Sequence, residues 1–176
     1  MSFHDLKLIL VPTDFGPSSE KALEAAIDLG RMTKAALEIL HVNSEAIWVV
    51  PPPGDVMSAP VDLANVLADA SDQLDAVVRR VRAAGLVCTG ASEVGRTDAE
   101  IVDYARSRHA NIIVVGSHGR HGFSHAILGS VAEKVVRYAP CPVLVVPSLE
   151  DVAPILRPED EAEEADIPVE GLAQPA

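Results

Sequence analysis

Two kinds of apolar spacing alternate along the chain. Leu6–Val11 is a short apolar run that stops at Pro12-Thr13-Asp14, which predicts a buried strand running into a polar loop. Pro17, Ser18 and Ser19, followed by Glu20, supply a helix start, and Ala22, Leu23, Ala26, Leu29 and Met32 continue at helical spacing. Leu37–Val42 predicts a second strand, apolar enough to be covered on both faces. Between Val61 and Ala84 a helical stripe runs through Leu63, Leu67, Ala70, Leu74, Val77, Val78 and Val81, and Gly85 ends it. A third strand over Leu86–Glu93 is expected to break at Val94-Gly95. Thr97 to Glu100 reads as a capping box for a helix through Ser107. Asn111–Val115 predicts a fourth strand, a further helix opens at Gly129-Ser130, and Pro142–Val146 predicts a fifth strand.

Strands and helices in strict alternation imply right-handed crossovers. The expected fold is α/β, a single doubly wound sheet of five parallel strands sandwiched by four helices. Ligands of such sheets bind beyond the carboxyl ends of the strands, where the strand order reverses. The loops that matter are therefore Thr13-Asp14, Val42-Asn43, Val94-Gly95 and Gly116–Leu128. Residues 44–60 break the pattern: Pro51-Pro52-Pro53-Gly54 fits neither a helix nor a central strand, so we expect a loop long enough to act as a lid. Trp48 lies in it, either packing the loop or touching a ligand.

Composition narrows the picture. Only 3% of the residues are aromatic, so the core must be built from Val, Ile, Leu and Ala, as parallel strands covered by helices require. No apolar run approaches the ~20 residues of a membrane span. No secretory signal is visible either, and a cytoplasmic location without membrane insertion is the expectation. Cys88 and Cys141 are too few and too far apart for a disulfide framework and are read as small buried thiols. The formal charge is −12, and the stretch after residue 148 holds nine acidic residues against the single Arg157, which accounts for −8 of it. The chain thus divides into a nearly neutral domain, 1–148, and an acidic, Pro-containing tail, 149–176, expected to be disordered. Without clustered Lys and Arg, nucleic-acid binding is not expected.

The chemistry concentrates in one strand-to-helix connection. Gly116, Gly119, Gly122 and Gly129 punctuate it, and glycine there lets backbone N–H groups approach a phosphate. The helix that opens at Ser130 adds free N–H donors and the positive end of its dipole. Ser117 and Ser130 can donate hydroxyls, although Ser130 with Glu133 could instead cap its own helix, and Ser117 could serve the turn alone. Asp14, at a strand end, faces the same choice between a ligand and its own loop. The common phosphate motifs do not fit, because no lysine precedes Gly129-Ser130 and no G-x-G-x-x-G occurs. Arg120 is the only fixed positive charge in the loop.

The spacing G-x-x-G, nine residues, then G-[ST] is met by Gly116, Gly119, Gly129 and Ser130. It resembles the ATP-binding signature of the universal stress protein family. Val114–Arg120, Leu128–Val135 and Ala139–Val146 are similar to that family nearly throughout, as are Ile9–Asp14 with Ser18, and His41-Val42. The likeness covers about residues 5–147. It implies a Rossmann-like fold of the adenine nucleotide alpha hydrolase type. It also implies that Pro12, Thr13, Asp14 and Val42 lie near the adenine and ribose, with Val94 and Gly95 flanking them. Gly116, Ser117, His118, Gly119, Arg120, Gly129, Ser130 and Val131 would hold the phosphates of ATP, or of AMP or ADP, and Mg2+ could accompany them. A homodimer through the Val143–Val146 edge is implied as well. Two departures stand out: Gly95 is not followed by a proline, and Asn111 replaces a frequent Asp.

Dedicated catalysis is not expected. ATP-cleaving relatives of this fold need an S-G-G-x-D-S loop or an H-x-G-H motif, and neither is present. A weak ATP hydrolase and a ligand-free interaction module are the alternatives to a protein that senses bound nucleotide. His118, His121 and His125 are near enough in sequence for one zinc, but no acidic or cysteine ligand accompanies them, and no metal site is expected. Bound ATP is expected to order residues 44–60 and 120–128.

Overall fold

The computed structural model describes residues 6–44, 63–119 and 128–147. The expected lid with Trp48, most of the 120–128 segment with Arg120, Gly122, His121 and His125, and the acidic tail lie outside the described residues. Nine elements follow one another: β1 (Leu8–Thr13), α1 (Pro17–Thr33), β2 (Ala36–Ser44), α2 (Leu63–Ala83), β3 (Cys88–Gly95), α3 (Thr97–Ser107), β4 (Ile112–Gly116), α4 (Ser130–Tyr138) and β5 (Val143–Val146). The strands form one parallel five-stranded sheet in the order β3-β2-β1-β4-β5. The chain winds outward to β3, returns under the sheet, and winds outward again to β5. The order therefore reverses between β1 and β4.

Strand periodicity sorts the core into two layers. Ile9, Val11, Leu37, Ile39, Ile112 and Val114 face one side, where Ala22, Leu23 and Ala26 of α1 and Leu74, Val78 and Val81 of α2 cover them. Leu10, Leu40, Val42, Ile113 and Val115 face the other, against Ile101 and Ala105 of α3 and Ala132 and Val135 of α4. Two helices on each face bury β1, β2 and β4 on both sides, which is why their sequences are apolar runs. Asn111 ties the start of β4 to that of β1: its Oδ1 accepts the Lys7 and Leu8 N–H groups, each at 2.9 Å. An amide oxygen suffices for that task.

The element ends differ from expectation where pairing or caps decide. β3 does not break at Val94-Gly95; it runs through both, with Asn43 opposite Val94 and Ser44 opposite Gly95. Neither expected capping box forms. The N-caps are Arg96 and Gly129, without side-chain cap bonds, so Thr97 and Ser130 stand one position later, already inside the helix. A hydroxyl at the first helical position sits one residue past the cap, the position from which a side-chain oxygen reaches forward to accept the free amides of the first turn.

One charged side chain is buried in the sheet, and its position on β2 gave no warning of it. Glu38 accepts hydrogen bonds from Tyr104 Oη at 2.9 Å and from Arg108 Nε at 3.0 Å, so the end of α3 neutralises it. Burial, and then the bond to Glu38, push the Tyr104 hydroxyl up from its ordinary 10.0 to about 12. Above pH 10 the unfolded chain releases this proton while the folded one retains it, so folding must weaken as pH rises from 10 to about 12. Tyr104→Phe should therefore lose less stability than wild type across that window in urea unfolding. Parallel losses in the two proteins would disprove the coupling.

Burial also raises both thiols, Cys88 to about 11; Cys88 is buried as expected, whereas Cys141 is only partly buried.

Candidate nucleotide site at the sheet switch point

Beyond the carboxyl ends of β1 and β4, where the strand order reverses, lies a cavity of about 470 Å³. Its floor is apolar: Leu40 and Val42 from β2, Val115 from β4, Ile101 from α3 and Ala132 from α4. Its rim is polar. β1 and its loop contribute Pro12, Thr13 and Asp14, and α1 contributes Ser19. The turn after β4 supplies Gly116, Ser117, His118 and Gly119, and the start of α4 supplies Gly129, Ser130 and Val131. Ser44 and Thr97 complete it. The hydroxyls of Thr97 and Ser130, not engaged as caps, are thus rim groups.

The three described glycines of the loop have different local reasons. A Cβ on Gly116 would come within 2.5 Å of Ser18 Oγ and 2.7 Å of the Ser18 carbonyl, so this glycine lets α1 press against the end of β4. A Cβ on Gly129 would sit 3.0 Å from Ser117 O and 3.3 Å from His118 Cα. There the two ends of the loop meet, joined by the Gly129 N–H donating to Ser117 O at 2.7 Å. At Gly119, which lines the cavity, the nearest atom to a Cβ among the described residues would be Asp14 Oδ2, at 3.4 Å. Backbone exposed in this way, beside the first turn of α4, attracts an anion.

Of the two roles open to Asp14, the one in its own loop is seen directly. Its Oδ1 accepts the Gly16 N–H at 2.9 Å and the Ser19 hydroxyl at 2.7 Å, which locks the turn. Its Oδ2 lies on the Gly119 side of the cavity. β2 overhangs β1 here: the pairing with β1 ends at His41, whereas that with β3 continues to Ser44. Among the described residues no strand pairs with β2 on its β1 side from Val42 onward, and Val42 and Ser44 line the cavity. A planar ring with edge donors and acceptors fits such a setting.

Of the residues marked in the sequence, Val94 and Gly95 do not line the cavity. Val94 is exposed on the edge strand, and a Cβ on Gly95 would meet the end of the Glu100 side chain. Arg120 lies outside the described residues. Seven lining residues were not marked: Ser19, Leu40, Ser44, Thr97, Ile101, Val115 and Ala132. Leu40 and Ser44 were within reach, since they share the face of Val42 at strand spacing. The others belong to helix starts and faces whose approach to the cavity is a matter of packing. Among the described lining residues no Lys or Arg occurs. Arg96 and Lys134 both pair with the buried Asp98, at 3.2 and 3.7 Å.

Sheet order, cavity position and glycine-lined helix start define a doubly wound α/β protein with a glycine-lined cavity at its switch point. The universal stress protein family model matches residues 6–147, and the chain belongs to that family. Universal stress protein YxiE of Bacillus subtilis is 30% identical over 143 residues, covering 78% of this chain and 97% of that protein. The solved structure of MJ0577, a universal stress protein of Methanocaldococcus jannaschii, has a TM-score of 0.71 at 30% identity and covers 81% of this chain and 96% of its own. Two solved structures share the fold at lower identity. A universal stress protein in complex with cAMP has a TM-score of 0.58 at 20% identity, covering 81% of this chain and 97% of its own. The Archaeoglobus fulgidus protein in complex with dAMP has 0.54 at 21%, covering 80% and 96%.

Proposed function

We propose that this chain binds an adenine nucleotide, ATP or else AMP or ADP, and acts as a nucleotide-dependent regulatory protein of the stress response. The observation that carries the reading is the cavity itself. Its 470 Å³, apolar floor and glycine-and-hydroxyl rim suit a base and ribose below and phosphates at the start of α4. The cAMP and dAMP complexes of proteins with this fold support an adenine nucleotide as the class of ligand. Mg2+ fits as a companion of the phosphates. Asp14 is the one carboxylate among the described lining residues, and Mg2+ is commonly held by one carboxylate together with phosphate oxygens and water.

We assign no dedicated catalysis. The carboxylate available to orient a water is already tied to Ser19 and Gly16 through one oxygen, and no described lining residue offers a fixed cation to a developing phosphate charge. Nucleotide released from purified, denatured protein should be identified by mass spectrometry as an adenine nucleotide, and calorimetry should show ATP binding without turnover. No adenine nucleotide, and no heat with ATP, ADP or AMP, would leave an interaction module. Steady release of ADP at a rate comparable with ordinary enzymes would instead make it a hydrolase.

The protein is further proposed to act in the cytoplasm, as a homodimer joined along β5. No helix among the described residues is long and apolar enough to cross a membrane. β5 is a sheet edge with Leu144 exposed, and an uncovered apolar edge invites a second strand. Leu144→Lys should convert a dimer into a monomer in light scattering, and an unchanged mass would place the contact elsewhere.

A further inference from the structure

The first turn of α1 holds two consecutive buried serines, and each reaches a different half of the site. Ser18 Oγ accepts the backbone N–H of His118 at 3.2 Å, a bond spanning a hundred residues of chain. It is made where Gly116 lets α1 press against β4. Since the His118 N–H is bound to the protein, it does not itself face the cavity. It pins the turn from which Gly119 opens onto the rim.

Ser19 faces the other way. Its hydroxyl lies 2.7 Å from Asp14 Oδ1 and 2.9 Å from Gly16 O. With one proton to give, its shorter and charge-assisted bond goes to the carboxylate. Thr13 Oγ1 donates to Ser19 Oγ at 3.3 Å and in turn accepts the Phe15 N–H at 3.0 Å. The result is a chain from backbone N–H through two hydroxyls to Asp14. It fixes the plane of that carboxylate, and with it the direction of Oδ2.

We propose that Ser18 and Ser19 are positioning residues that set two parts of the site independently, Ser18 the turn that carries Gly119 and Ser19 the Asp14 carboxylate. The assignment rests on the nucleotide reading above. The division follows from charge. A carboxylate repels phosphate and accepts hydroxyl or amino groups, whereas backbone N–H groups at a helix start attract phosphate. α1 thereby decides how strongly phosphates count relative to the nucleoside, through one side chain, Ser18, that does not line the cavity.

ATP and adenosine are titrated by calorimetry against wild type, Ser18→Ala and Ser19→Ala, in EDTA so that no cation bridges Asp14 to phosphate. Ser18→Ala is expected to weaken ATP about tenfold and adenosine less than about twofold, the loss of one orienting bond to the phosphate half alone. Ser19→Ala is expected to weaken both ligands by the same factor, about tenfold. The diagnostic quantity is the ratio of the two affinities, which a general loosening of the fold would not alter selectively. Alanine keeps the helix, and urea unfolding verifies that each variant is folded. Should Ser19→Ala unfold, Thr13→Val breaks the same chain one link earlier. Exchange of the His118 amide, followed by NMR, must be slow in wild type and faster in Ser18→Ala. An unchanged ratio in a folded Ser18→Ala, or an unaltered His118 exchange rate, overturns the proposal while leaving nucleotide binding intact. Wild type that binds neither ligand removes the nucleotide reading itself.

Discussion

Gly129→Val is expected to abolish nucleotide binding, with an affinity loss of about a hundredfold or more, while the protein stays folded. The backbone at Gly129, φ −68 and ψ 153, is open to any residue, so conformational strain is not the cause. The cause is what a side chain would meet. Its Cβ would stand 3.0 Å from Ser117 O and 3.3 Å from His118 Cα, and the two further methyl groups of valine need more room still. The ends of the loop must part, breaking the 2.7 Å bond from the Gly129 N–H to Ser117 O. The free N–H groups at the start of α4 then no longer aim at the point served by Gly119. A site of this kind works through fixed direction, and a displacement of about an ångström is costly. Stability should change little, because the collision lies on the cavity rim and not between the core layers. Calorimetry with ATP and a thermal melt test both halves of the statement. A folded variant with wild-type affinity would mean that this loop does not hold the phosphates.

The same substitution thirteen residues earlier should act in the opposite manner. Gly116→Val is expected to destabilise the fold by about 3 kcal/mol or more, in the upper range for overpacking. Here the Cβ would fall 2.7 Å from the carbonyl carbon and oxygen of Ser18 and 2.5 Å from its Oγ. Those are mainly backbone atoms of a helix, which cannot rotate aside as a side-chain end can. β4 is buried along its whole length and is held between β1 and β5, so it has no freedom to retreat. For a domain of this size such a loss corresponds to a fall in Tm of roughly 6–12 °C. Urea unfolding measures it directly. A loss below about 1 kcal/mol would show that α1 does not lie so close to β4. Two glycines of one motif would thus separate cleanly, one in binding and one in folding.

Much of the fold was legible because burial on both faces leaves a plain mark. Strands such as Ile112–Gly116 must be apolar throughout, and the helices between them must carry a stripe, so element order and parallel topology follow. Boundaries were less legible where a partner strand or a competing cap sets them. β3 extends through Val94-Gly95 because Asn43 and Ser44 continue to pair with it, and the sequence of β3 alone does not carry that information. Thr97 and Ser130 have the residue types of a capping box, but the helices begin after Arg96 and Gly129. Local propensity allowed either start.

The segment from Gly116 to Val131 shows where the division falls. By itself the sequence determined that a glycine-rich turn follows a buried strand and precedes a helix, and that it carries the spacing of the family. Those are properties of residue types along one chain. Which glycine admits α1, which joins the loop ends and which opens the cavity depends on the atoms opposite each missing Cβ, and these come from Ser18, Ser117 and Asp14. At Gly95, of the same residue type, a Cβ would meet the end of the Glu100 side chain instead. Likewise, that Ser18 reaches the His118 amide and Ser19 the Asp14 carboxylate was settled only when α1 packed across β1 and β4. Distances across a sheet are fixed by packing many residues at once, and no local run of sequence encodes them.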